Sequence, residues 1–251
     1  PPQYGKVFVS IKPFNGVFLS EDIKRNLKLE LAKYSVAGII TEIVDLNYLF
    51  IEIDTNVYYN SNLAPGPSQV RNVVTNNIIK YSDSTQLNKF GARFKYSKFG
   101  KIIDDSHDSI TSNITTVKMR RDVQAVLNQF VEYSLTFGNR IHVKSELGFN
   151  IKTSGFSVSG ISGTVYMSDA PNANLTTGTI FMFKLNSPTE PVILKRNIGT
   201  IDYTTGLIKL NPLNVISTEV TRGTSLIEVS SCPYSNDVLG LRDLYLQMDT
   251  S

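Results

Sequence analysis

The sequence predicts an α+β protein in two parts: a strand–helix unit over residues 1–122, then a mostly antiparallel all-β domain over 123–251. Three observations carry that reading. Short apolar runs with a period of two recur along the whole chain, the signature of half-buried strands. Amphipathic helical stripes fall only in the first half. Past Asp122, Gly, Ser, Thr and Asn crowd in and no long helical stripe appears.

The first run, GKVFVSIKP at 5–13, sets Val7, Val9 and Ile11 against Phe8, Ser10 and Lys12 and is closed by Pro13. Ser20 then reads as an N-cap, with Glu21 and Asp22 in the first turn, where the helix dipole favours carboxylates. Ile23, Leu27, Leu31 and Tyr34 follow at helical spacing. Gly38 releases the chain into a second strand near 39–45, and a polar turn leads to a third over 48–59. In that third run Leu49, Ile51 and Ile53 share one face. Pro65-Gly66-Pro67-Ser68 precedes a second helical stripe, Val70, Val73, Val74, Ile78 and Tyr81. Phe90 to Tyr96 alternates again and reads as a fourth strand. The order β-α-β-β-α-β is the split βαβ, or ferredoxin-like, arrangement. A short helix capped by Ser97 and ending near Asp105 follows, then a strand over 113–121.

In the second half the strands read as Val131 to Phe137, Thr164 to Met167, Thr179 to Leu185, Pro191 to Lys195 and Leu226 to Val229. The clearest local signal is Thr205-Gly206 between two β-rich runs, a hairpin in which Gly206 takes a positive φ. Gly148, Gly155, Gly160 and Gly163 mark 148–163 as a long loop or edge. The expectation is a sandwich or irregular barrel.

Composition narrows the function. Of 251 residues, 41% are hydrophobic and 19% charged, and no apolar run approaches the ~20 residues of a membrane span. A net charge of +3 does not require a polyanionic partner. One cysteine, Cys232, excludes an intrachain disulfide framework and a multi-thiolate metal site, and two histidines, His107 and His142, are too few for a three-histidine metal site. The chain opens on Pro1-Pro2-Gln3 with neither initiator Met nor signal peptide, so it reads as a piece of something longer.

Chemistry-bearing motifs are thin. Asp104-Asp105-Ser106-His107-Asp108 lacks the spacing of a calcium loop and reads as a solvated helix end. His142 sits in a strand-like run. Ser157, Ser159 and Ser162 lie among glycines without a nucleophile elbow, and Gly100-Lys101 lacks the rest of a phosphate-binding loop. Asn113-Ile114-Thr115 and Asn174-Leu175-Thr176 match the glycosylation pattern, which carries no meaning without a secretory signal. No catalytic residue, metal or cofactor is expected. One stretch has two readings: residues 89–101 interleave Lys89, Arg93, Lys95, Lys98 and Lys101 with Phe90, Phe94, Tyr96 and Phe99. That pattern is either a stacking platform for single-stranded nucleic acid or an edge strand with its aromatics in the core.

The run Gly5 to Pro13, the Leu27/Leu31/Tyr34 helix, Gly38 and the Leu49-to-Tyr59 strand resemble the baseplate J-like family of contractile-tailed phages. Within it they resemble the C-terminal part of the wedge proteins of T4-like phages. The Phe94-Lys95-Tyr96-Ser97 entry into a short helix and the 113–121 strand extend the resemblance over about 5–122. It implies a non-enzymatic virion component of the tail baseplate, assembled in the host cytoplasm. Such a protein self-associates into a ring around the central hub, contacts other wedge proteins and holds the plate together as it changes shape. No nucleic-acid or membrane partner is expected. The alternative is a binding module, for single-stranded nucleic acid through 89–101 or carbohydrate through the β domain.

The C-terminal segment offers the self-association candidates: Leu239, Leu241, Leu244, Tyr245, Leu246 and Met248. A terminus this apolar is docked, either on another molecule, giving at least a homodimer, or on its own domain as a final strand.

Overall fold

The computed structural model describes residues 5–13, 19–35, 38–64, 66–187, 190–222, 224–241 and 244–249. The chain divides into two compact units, Pro1–Asn47 and Tyr48–Ser251.

The first unit is β1 (Lys6–Ser10), α1 (Glu21–Ala32) and β2 (Ile40–Val44), with β1 and β2 paired in parallel through the helical crossover. Ser20 caps α1, its Oγ accepting the Ile23 N–H at 3.4 Å. Gly38 has φ +89°, the left-handed turn into β2 that a side chain would resist.

The second unit holds β3 (Asn47–Tyr59, all but its first residue), α2 (Pro67–Ser82), β4 (Arg93–Phe94), α3 (Tyr96–Asp104), β5 (Ile110–Gln124), β6 (Phe130–Thr136), β7 (Ile151–Thr153) and β8 (Phe156–Val158). It continues with β9 (Tyr166–Pro171), β10 (Thr177–Ser187), β11 (Glu190–Asp202), β12 (Leu207–Thr218), β13 (Val220–Thr221), β14 (Ser225–Ser231), β15 (Val238–Leu239) and β16 (Leu244–Met248). One sheet runs β13-β14-β5-β3-β16 and the other β6-β12-β11-β10-β9. Their apolar faces share one core, with Leu49, Ile51, Met119, Ile227 and Val229 from the first and Leu135, Ile180, Ile201, Ile208 and Leu210 from the second. Each such side chain contributes about 1.5–3 kcal/mol by leaving water. A void of about 20 Å³ between the sheets is lined by apolar groups and is too small for any ligand larger than a water. Val70, Val74 and Tyr81 of α2 and Phe99 and Ile103 of α3 join the same core.

Three expectations change. The four-stranded ferredoxin-like sheet is absent among the described residues: β3 has both edges taken, by β5 and β16, which leaves no place for β1. The expected fourth strand shrinks to β4, because 89–92 is spent on a turn in which Gly91 has φ +66°. The boundary expected near 122 falls inside β5, whose first part pairs with β3 and whose last part pairs with β14. The sandwich therefore takes strands from both sides of that point. The hairpin at Thr205-Gly206 is present, with Gly206 at φ +70° and Asp202 Oδ1 accepting the N–H groups of Thr204 and Thr205 at 2.8 and 3.1 Å. The 148–163 stretch, expected as a loop or an edge, contains the short strands β7 and β8, which pair with β14 and β12.

Candidate functional site

The C-terminal segment is the natural place to look for an assembly contact. Val238 and Leu239 pair with Phe94 and Arg93. Asn139 grips Leu239 from the side: its Nδ2 donates to the Leu239 carbonyl at 2.9 Å and its Oδ1 accepts the Leu239 N–H at 2.8 Å. The amide of one side chain thus does the work of a neighbouring strand. Gly240 donates to the Ala92 carbonyl at 2.8 Å, which holds the segment against the turn before β4.

Among the six apolar candidates, Leu244, Tyr245, Leu246 and Met248 form β16 and are fully buried, at 3% exposure or less. They close the sheet as its final strand, the second of the two readings of this tail. Leu239 and Leu241 remain 43% and 44% exposed. Leu241 packs against Gly138, where an added Cβ would sit 2.7 Å from Leu241 Cδ1. Tyr245 contacts the half-exposed Phe90 edge to face, ring centroids 5.2 Å apart.

The 89–101 stretch turns most of its aromatics inward. Phe94 and Phe99 are fully buried and pack on Tyr81, and Tyr96 donates its hydroxyl to the Thr115 carbonyl at 3.0 Å. A base-stacking platform needs those ring faces free, so the core reading of the string is the one the structure adopts. Arg93 is spent on Asp237 at 2.9 Å. Lys89, Lys95, Lys98 and Lys101 stay exposed.

The buried polar clusters have structural roles. Asp169 Oδ1 accepts the Ile151 N–H at 2.7 Å, and its Oδ2 accepts Asn150 Nδ2 at 2.8 Å and the Tyr203 hydroxyl at 2.6 Å. Burial, then that bond, push the Tyr203 hydroxyl well above the ordinary tyrosine range. Arg120 Nη1 pairs with Glu52 at 2.8 Å and with Asp249, and its Nε pairs with Asp122 at 3.0 Å. Its guanidinium also stacks over Phe50, 4.5 Å from the ring centroid. His107 Nδ1 accepts the Ser109 N–H at 3.1 Å within a turn. Among the described residues no three His, Cys, Asp or Glu side chains converge to hold a metal ion.

The first unit keeps much apolar surface in water. No residue of α1 is fully buried, and Val7, Phe8, Ile23, Leu29, Tyr34 and Ile40 are all exposed. Parallel strands are normally covered on both faces, so a two-stranded parallel pair with this surface is an incomplete layer. The helical stripe read from the sequence is present, but the packing it foretold is only partial.

Known proteins give this surface its context. Residues 47–122 match the family model described as baseplate structural protein gp6, C-terminal domain III, and residues 1–44 match that of gp6 C-terminal domain I. The break between the two matches falls where the compact units divide. The chain is thus similar to a baseplate structural protein. In particular it is similar to the baseplate wedge protein gp6 of Enterobacteria phage T4, with 28% identity over 142 residues, 56% of this chain and 21% of that protein. The chain is gp6-like and spans about a fifth of the length of that relative. Of the resemblance expected from the sequence, the matches support the wedge-protein part, through the C-terminal domains of gp6.

Proposed function

We propose that this chain is a self-associating part of a baseplate wedge protein of the J-like lineage. It joins copies of itself into a ring around the central hub, contacts other wedge proteins, and keeps the plate connected while it changes shape on host contact. Its role is mechanical and involves no catalysis. The observation that carries this reading is the 28% identity to a baseplate wedge protein over 142 residues. Two surfaces support self-association: the exposed Leu239 and Leu241 beside β4, and the uncovered apolar side chains of β1, α1 and β2. A single twofold contact stops at a dimer, so a ring requires two distinct surfaces.

Light scattering tests it. The wild-type chain is at least a dimer at tens of micromolar, and the Leu239→Asp, Leu241→Asp variant or a Phe8→Asp variant is smaller while melting cooperatively. A monomeric wild type contradicts self-association. Folded variants that all keep the wild-type mass contradict both placements.

A further inference from the structure

Charge is unevenly spread along this chain. Residues 61–103 carry seven lysines and arginines, Arg71, Lys80, Lys89, Arg93, Lys95, Lys98 and Lys101, against one carboxylate, Asp83. The whole chain is only +3, so the remainder is net acidic. Within this segment Lys95, Lys98 and Lys101 recur every third residue along α3 and its cap and are all exposed, while Phe99 and Ile103 of the same helix are buried. Residues three apart on a helix are neighbours, so this is a row of like charges that raises its own energy. Asp237, at the N-terminus of α3, is already committed to Arg93 and to the Tyr96 N–H. Asp104 and Asp105 follow Lys101 by three and four residues and offset only that end of the row, with Asp104 accepting Asn113 Nδ2 at 2.7 Å. Among the described residues no carboxylate lies within ion-pair distance of the three lysines.

We infer that the lysine row of α3 docks an acidic protein surface. Charge complementarity selects that chemistry, because the row gains most from carboxylates brought within a Debye length. A nucleic-acid occupant is disfavoured because Phe94, Phe99 and Tyr96, which would stack bases, are turned away from the row. The inference does not depend on the wedge assignment: it concerns the class of partner and holds for any neighbour with an acidic face.

Fluorescence anisotropy on the full 251-residue chain tests it, with a labelled oligoglutamate peptide and a thymidine oligonucleotide of equal charge as probes. The peptide binds with an affinity that falls as salt rises. It weakens by about tenfold or more in Lys95→Glu, Lys98→Glu, Lys101→Glu and by less in the Lys→Gln triple variant, with both variants melting as the wild type does. Reversing Arg71 and Lys80 on α2 changes it by less than about twofold. If the Glu variant fails to fold, the Gln variant carries the test. Three results would overturn the inference: no peptide binding by the wild type, equal loss on reversing the α2 charges, or tighter binding of the oligonucleotide than of the peptide at the same salt.

Discussion

The carboxylate of Asp237 caps a helix that lies 141 residues earlier in the chain: its Oδ1 accepts the Tyr96 N–H at 2.9 Å, and its Oδ2 takes Arg93 Nη2 at 2.9 Å. The cap of α3 is therefore not Ser97, which sits inside the helix, but a side chain from the loop before β15. One residue joins the start of α3, β4 and the C-terminal segment. Asp237→Ala removes both bonds and lowers stability by about 1–2 kcal/mol in urea melts, while Asp237→Asn, which keeps an acceptor oxygen, costs less. Equal stability of Asp237→Ala and the wild type would contradict the capping role.

Asp169 and Tyr203 form a second long-range tie, deep in the sandwich. Tyr203→Phe removes one of the two bonds that Asp169 Oδ2 accepts, leaving Asn150 Nδ2 on that oxygen, and costs about 0.5–1.5 kcal/mol. The tie also predicts a pH dependence. Because the folded-state pKa of Tyr203 lies above the unfolded value, its stabilisation is fully present below the unfolded tyrosine pKa, about 10, and is lost as pH rises toward the folded one. Alkaline melts of the wild type therefore lose stability faster than those of Tyr203→Phe.

Around Arg120, four carboxylates face two guanidiniums: Glu52, Asp122, Glu228 and Asp249 against Arg120 and Arg222. Arg120→Met takes the buried cation from all four and leaves only Arg222, paired with Asp122 and Glu228, in the cluster, which destabilises by about 3–5 kcal/mol. Burial pushes the Glu228 carboxyl up, against the pull of Arg120. Its protonated form is thus favoured in the folded state, and its contribution is fully present below the unfolded glutamate pKa and lost as pH rises through the raised folded one. Glu228→Gln flattens that part of the pH–stability curve, which denaturant melts across the acidic range measure.

The strand pairings predict which fragments stand alone. A chain of residues 1–122 lacks β14 and β16, the partners of β5 and β3, and exposes the sheet face they complete. It is expected to be aggregated or molten, whereas 48–251 keeps both sheets and melts cooperatively. Circular dichroism melts of the two fragments check this; a cooperative melt of 1–122 would return the boundary to residue 122.

Where the sequence was legible, the determinants were local. Ser20 with Glu21 and Asp22, the Val70/Val74/Tyr81 stripe of α2, and the Asp202-to-Gly206 turn each carry their own geometry within a few residues. What could not be read were partners. β3 alternates as a strand should, but that its edges go to β5 and β16 rather than to β1 is decided by residues up to 201 positions away. The apolar tail was visible as apolar, yet the same string suits a core strand and a subunit contact equally; only burial separates Leu244 and Leu246 from Leu239 and Leu241. The 89–101 string was ambiguous for the same reason, since alternation places aromatics and lysines on opposite faces without saying which face meets the core.

The most direct test of the account is electron microscopy of intact virions labelled with gold-conjugated antibody against this chain. Gold clustered at the baseplate end of the tail, at several positions around its circumference, is the predicted result. Gold on the head or along the tail shaft, with the baseplate unlabelled, would contradict it.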